Sequence, residues 1–588
     1  MKINVYQVFT RLFGNTTTTN KAWGTLEENG VGKFDDFTDE ALEAIRNLGI
    51  THIWYTGVLH HAMVTDYSEI GIPGDDPDVV KGRAGSPYSV KDYYNVNPDL
   101  AVDPARRLEE FEALVERTHR HGLKVIIDIV PNHVARVYHS VSNPEGVEDF
   151  GSSDDLSREY LKDNNFYYIP GKPFKVPEWR DGYRVLGGED HPQADGYFRE
   201  DPARWTGNGS RSPQPDMNDW YEAVKINFGV SPDGSHDFET LPDGYENEPF
   251  QVHHEFWTGK VLPDSWKKFR DIVLYWLNKG VDGFRYDMAE MVPVEFWSYL
   301  NSAIKMANPD AFLLAEIYQP HMYRDYLRKG KMDYLYDKVQ LYDSLKGIMQ
   351  GHGSTDAIVQ IQHELADIEE HMLHFLENHD EQRIASEEFA GDARKGMPAM
   401  VVSATIGRSP TMLYFGQHVG EPGAEDPGFG APSRTSIYDY MGVPHHQRWM
   451  NYGKFDGALL SEEEKELNDF YARLLNFTKN NGALRGEYRE IHSHNKKHSR
   501  WYNDRVFSFV RWKGGENLII ISNFDAADTY GFELKLPREI IDAWKLEEGT
   551  YQLEDQLSDQ ILELRVSGGS AVSRVDLEPL RSYILKVI

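Results

Sequence analysis

Short apolar runs alternate with amphipathic stretches along most of the chain. The runs at residues 4–9, 50–56, 124–130, 282–287, 312–317, 332–336, 374–378 and 411–415 have strand length. Several are separated by stretches with helical spacing, such as 39–48, 104–121 and 265–279. Strands alternating with helices of this length predict parallel β–α–β units, and eight in order predict an α/β fold of the (β/α)8 (TIM) barrel type. Two stretches break the rhythm. Residues 133–256 are rich in Gly, Pro, Asp and Tyr and show little helical periodicity. They are too long for an ordinary loop and read as a subdomain inserted after the third strand. From about residue 482 the pattern turns to strand-like runs at 506–512, 517–523, 531–536 and 583–587, which predicts a C-terminal all-β domain. The expected division is a barrel at 1–132 and 257–481, an inserted subdomain at 133–256 and a β-sandwich domain at 482–588.

Composition narrows the chemistry. Of 588 residues, 62 are Lys or Arg and 94 are Asp or Glu, a formal charge of −32. Nucleic acids and anionic membranes both need a cationic surface to displace counterions, so neither is an expected partner. The chain has no cysteine, which excludes disulfides, zinc thiolates, iron–sulfur clusters and a Cys nucleophile. No run of about 18 apolar residues is present to span a bilayer. The start, Met1 to Phe9, alternates like a strand and lacks the apolar core of an export signal. The expected location is therefore cytoplasmic, unless a signal has been replaced by Met1. Aromatic content is 13%, with 13 Trp and 33 Tyr; most of these will be core, and the surplus suits stacking on sugar rings.

In a barrel, chemistry gathers where the strands end at their C-terminal edge. Four predicted strands carry polar residues there. The third contains Asp128 and leads into Asn132 and His133; an Asp inside such an apolar strand is costly unless paired or functional. On the fourth, Arg285 and Asp287 are two apart and share a face, so the guanidinium should keep Asp287 ionised, as a glycosyl nucleophile must be. The fifth carries Glu316 among apolar and aromatic neighbours with no cation nearby in sequence, an environment expected to raise its pKa toward that of a general acid. The seventh ends in Asn378-His379-Asp380. Paired carboxylates in unlike environments are what glycoside hydrolysis uses.

Together these segments resemble the α-amylase family of glycoside hydrolases (family 13). Its ordered motifs are matched by Asp128-Ile-Val-Pro-Asn132-His133, Gly283-Phe-Arg285-Tyr-Asp287, Glu316 and Asn378-His379-Asp380, with a fifth at Gln214-Pro-Asp-Met-Asn218. Ser86-Pro-Tyr88 resembles the family's segment before the third strand. The resemblance implies a retaining hydrolase of α-glucans or malto-oligosaccharides. Asp287 would be the nucleophile and Glu316 the acid/base, while Asp380 holds and distorts the sugar ring. It further implies that Arg285 orients Asp287, that His133 and His379 bond the same glucose, that Tyr88 stacks beneath it, and that Asp128 supports the site. In the family Asn132 often ligates calcium, so a structural calcium is possible, whereas the chemistry needs no cofactor.

Departures from the pattern bear on specificity. Met288-Ala-Glu290-Met291 follows Asp287 in place of the Lys-His pair of many starch amylases and is similar to the neopullulanase branch. Gln214–Asn218 is instead similar to the oligo-1,6-glucosidase branch, so linkage stays open between α-1,4 alone and α-1,4 with α-1,6. Met288 and Met291 could line the leaving-group side or simply pack the core. His492, His494 and His498 read as a solvated loop rather than a metal site, and His60-His61 could face the cleft. A glucosyl transferase on the same residues and a non-catalytic glucan-binding protein are the competing readings; the latter predicts a missing carboxylate.

Overall fold

The computed structural model describes residues 1–179, 191–430 and 432–588. Eight strands form one parallel sheet: β1 (Asn4–Phe9), β2 (His52–Thr56), β3 (Lys124–Ile129), β4 (Gly283–Tyr286), β5 (Phe312–Ala315), β6 (Tyr334–Tyr336), β7 (Met372–Leu373) and β8 (Thr411–Tyr414). They neighbour one another in chain order, with β8 paired to β1. A parallel bridge between His374 and Thr411 joins β7 to β8 and closes the barrel. The seventh strand is thus shorter and earlier than its sequence suggested, because residues 375–378 already leave the ladder.

Strand alternation divides the barrel into two apolar layers. Val5, Trp54, Ile126, Phe312, Leu314, Tyr336, Leu373 and Met412 pack together as the interior plug, while the opposite faces pack against the surrounding helices. Ile126 and Asp128 are two apart on β3, as Gly283 and Arg285 are on β4, so Asp128 and Arg285 continue the inward face just above the plug. Gly283 is needed for close packing: a Cβ there would lie 2.2 Å from the Phe312 carbonyl oxygen.

Between β3 and helix Asp264–Asn278 the described residues include short ribbons, one pairing His133–Ala135 with Ala223–Lys225, and the short helix Phe250–Trp257. The C-terminal strands are β9 (Glu487–Glu490), β10 (Val506–Lys513), β11 (Glu516–Asn523), β12 (Tyr530–Leu536), β13 (Gly549–Asp555), β14 (Ile561–Ser567), β15 (Ser570–Leu577) and β16 (Ser582–Val587). They make a separate sheet, antiparallel throughout, in the order β9-β10-β11-β16-β13-β14-β15-β12, with its own apolar core. The histidine-rich stretch is a helix, His492–His498, not a loop. His492 is buried and bonds Asp356 at 2.8 Å, tying this sheet's approach to the barrel. No described helix is long and apolar enough to cross a membrane.

Candidate active site

Register brings the site together. Arg285 lies opposite Asp128 on β3 and opposite Leu314 on β5. One step past the strands, the Asp287 amide donates to Ile129 O and the Glu316 amide to Tyr286 O, which sets both carboxylates at the barrel mouth. Met288 then takes a left-handed backbone, φ 46°, a conformation uncommon for a residue with a side chain. That turn aims its N–H at Glu316 Oε2, 2.9 Å away. Backbone strain of this kind clusters at functional sites.

Arg285 is the hub. Its guanidinium is fully buried and donates to Asp287 Oδ1 at 2.8 Å and Asp128 Oδ1 at 3.3 Å. It also lies 2.9 Å from Glu316 Oε2, an ion-pair distance without hydrogen-bond alignment. Beneath it sit the rings of Trp54 and Tyr336, 5.2 and 5.6 Å from the guanidinium carbon. Glu316, which has no cation nearby in sequence, receives one across the sheet from β4. Arg285 does pull the Asp287 pKa down, as expected, but its pull is outweighed. Burial, then repulsion from Glu316, push the Asp287 carboxyl well above the usual range, against the pull of Arg285. Asp128, fixed by a 2.8 Å bond from Trp54 Nε1, is raised to about 6 by burial.

The histidines are neutral. Burial lowers His379 well below its ordinary pKa, helped by Arg285, and takes His133 to about 3, helped by Lys225 and Lys81. Gln7 Nε2 donates to His379 Nδ1 at 2.8 Å, which leaves the proton on Nε2, facing the Tyr88 hydroxyl at 2.5 Å and Asp380 Oδ2 at 3.1 Å. Tyr88 also stacks on the His379 ring. Asp380 is the open carboxylate, its side chain 42% exposed.

A cavity of about 370 Å³ opens over these groups. Tyr88, His133, Asp287, Glu316, His379 and Asp380 line it, whereas Arg285 and Asp128 lie beneath its floor. A larger cleft of about 1030 Å³ sits between residues 148–165 and 254–270. It holds none of these groups, so size does not locate the chemistry.

The α-amylase catalytic-domain model matches residues 7–226 and 257–469. The chain belongs to the α-amylase family. It is 21% identical to α-amylase 3 of Dictyoglomus thermophilum over 79% of this chain and 74% of that protein. To a cyclomaltodextrinase of a Bacillus species it is 20% identical, over 89% and 72% respectively. The crystal structure of a Geobacillus thermoleovorans α-amylase with acarbose superposes with a TM-score of 0.58 at 17% identity, covering 100% of this chain and 98% of that one.

Within this α-amylase family member, one family expectation fails. Asn132 does not fit a calcium site: its Oδ1 accepts from the ammonium of Lys225 at 2.6 Å and its Nδ2 donates to Gly207 O and His133 Nδ1. A cation fixed to the chain already occupies that oxygen. Among the described residues no three His, Asp or Glu side chains stand together as metal ligands. His60 and His61 are buried in a ribbon away from the cavity. Met288 is in the cavity wall, but Met291 faces a separate cavity beside Glu290 and Pro293. Gln214–Asn218 does not reach the wall.

Sequence reasoning missed several wall residues. Tyr318 donates its hydroxyl to Glu316 Oε1 at 2.6 Å, and its backbone is pinned by Glu290, which accepts the amides of Tyr318 and Gln319 at 2.7 and 3.1 Å. Its position two past Glu316 was a usable signal, since such residues share a strand face. Lys81, Trp220, Glu222 and Tyr438 also line the cavity. They come from loops, where one sequence carries no such periodicity.

Proposed function

We propose that this protein is a retaining hydrolase of starch-type α-glucans or malto-oligosaccharides, with Asp287 as nucleophile, Glu316 as acid/base and Asp380 as the carboxylate that holds the sugar. The observation that carries this is one buried guanidinium touching both Asp287 and Glu316 from adjacent strands, below a cavity rimmed by Asp380. Asp287 Oδ attacks the anomeric carbon as Glu316 protonates the departing glycosidic oxygen, giving a glycosyl–enzyme ester and a free sugar. Glu316, now ionised, takes a proton from water, which attacks the same carbon and releases Asp287. Neutral His379 and His133 can bond sugar hydroxyls, and Tyr88 offers a ring face. No metal or organic cofactor takes part in these steps.

The leaving-group side supports mixed α-1,4 and α-1,6 cleavage. Met288, unbranched and adaptable, stands in the wall where a Lys-His pair would fix one orientation. Transfer to a sugar acceptor would use the same ester and show as products longer than the substrate. The test is the anomer first released from maltotriose, read by NMR, with chromatography of starch, pullulan and panose digests. Retention predicts the α-anomer first; a first-formed β-anomer would overturn the mechanism, and untouched panose with pullulan cut only at α-1,4 bonds would overturn the linkage assignment.

A further inference from the structure

We propose that Glu222, Lys81 and Trp220 form a second sugar subsite beside the reacting glucose, which recognises glucosyl hydroxyls through the free carboxylate oxygen of Glu222. This deepens the α-glucan reading and rests on it. The two charged residues come from different parts of the chain: Glu222 precedes the ribbon strand Ala223–Lys225 of the insertion, and Lys81 follows the short turn Pro77–Val79 of the loop between β2 and β3. They meet in the cavity wall, Lys81 Nζ 2.9 Å from Glu222 Oε1, with side chains only 3% and 7% exposed. Such a buried pair is weak evidence of stability, because its desolvation offsets most of its attraction. It needs another reason to line a cavity.

That reason is in what the pair leaves over. Glu222 Oε2 is buried with no hydrogen-bond donor, a state that native proteins seldom leave unexplained. A carboxylate with one oxygen held by an ammonium and the other unmet can accept from a sugar hydroxyl after a small rotation of its end group. The ammonium has three protons and can donate to a second hydroxyl. Trp220, half-buried in the same wall, packs its ring 5.2 Å from that of His133, so it adjoins the group expected to bond the reacting glucose. Acceptor, donor and aromatic face are the three things a pyranose ring asks for. The 370 Å³ cavity falls in the range that holds ligands larger than one ring.

The alternative role for the pair is a latch between insertion and barrel, and the two are separable. Maltotriose fills several subsites, whereas α-glucosyl fluoride fills only the reacting one. Glu222→Gln is isosteric and turns the free acceptor into a donor; Trp220→Leu leaves the ion pair intact. For both variants kcat/KM on maltotriose should fall at least tenfold further than on α-glucosyl fluoride, the scale of one hydrogen bond to a charged group. Equal loss on both substrates, or loss matching a fall in melting temperature, would mean a latch and overturn the subsite. If Glu222→Gln fails to fold, Trp220→Leu alone must still show the split. Wild-type enzyme active on both substrates with variants that show no split defeats this inference only. Wild-type enzyme inert on both defeats the glucan reading and the subsite with it.

Discussion

Replacing Arg285 by Lys keeps the charge and removes the fork. The native guanidinium makes an aligned 2.8 Å bond to Asp287, a longer 3.3 Å bond to Asp128 and a 2.9 Å ion pair with Glu316. These partners sit on three neighbouring strands, and a single ammonium cannot hold all three. At least one charged contact is lost between the reacting carboxylates. Such a contact is worth about 1.5–3 kcal/mol, or roughly 10- to 150-fold in kcat/KM at 1.36 kcal/mol per decade. Asp128→Asn is the internal control. It weakens the longest of the three contacts and the 3.4 Å bond from the Tyr88 hydroxyl but leaves an oxygen for Trp54 Nε1, so its loss should stay under about tenfold, one decade of the same scale. Steady-state kcat/KM on maltotriose and α-glucosyl fluoride, with a thermal melt to separate misfolding, measures both. Arg285→Lys within threefold of wild type, or Asp128→Asn the more damaging of the two, would refute the hub.

Three further outcomes follow from the same geometry. Glu316→Gln should lose several orders of magnitude on maltotriose and far less on α-glucosyl fluoride, whose leaving group needs no proton; equal losses would remove Glu316 from the acid role. Because burial and Glu316 raise the Asp287 pKa, the nucleophile becomes protonated, and activity is lost, as pH falls through a value above the ordinary 3.8. His133, at about 3, stays neutral there, so a pH profile of kcat/KM with its acid limb at or below pH 3.8 would contradict the assignment. Excess EDTA should leave both activity and melting temperature unchanged, since Lys225 holds the Asn132 oxygen; a calcium-reversible drop in melting temperature would place a metal there instead.

The barrel was legible because its strands are short apolar runs whose spacing matches β–α units, and the order of the runs is the order of the strands. Errors fell where tertiary context overrides pattern. Residues 375–378 look like strand but lie outside the ladder, with Phe375 packed into the interior plug. Residues 492–498 look like a polar loop, but one face is anchored: His492 is buried against Tyr502 and Asp356, and Asn495 bonds Lys535 O at 3.0 Å. A single helix turn of buried polar contacts leaves no hydrophobic period to read.

In the site, what was legible was which strand ends carry charge; what was not was the charge's surroundings. Sequence neighbours gave Asp287 a cation and left Glu316 without one. Across the sheet, Leu314 lies opposite Arg285, and Glu316 is two residues further on the same face, so one guanidinium serves both. Asp128, opposite Arg285 on the other side, makes a third claim on it. The cluster therefore gathers several carboxylates around one guanidinium in a buried place; burial first, then repulsion from Glu316, lifts the Asp287 carboxyl. Gathering these like charges in a buried place costs stability. A sugar whose anomeric carbon turns cationic in the transition state meets those carboxylates directly, with dipoles and charges already fixed. Under the proposed roles of Asp287 and Glu316, the arrangement that made the in-strand pKa argument fail would favour the oxocarbenium-like state over the bound ground state, which is the condition for catalysis rather than mere binding.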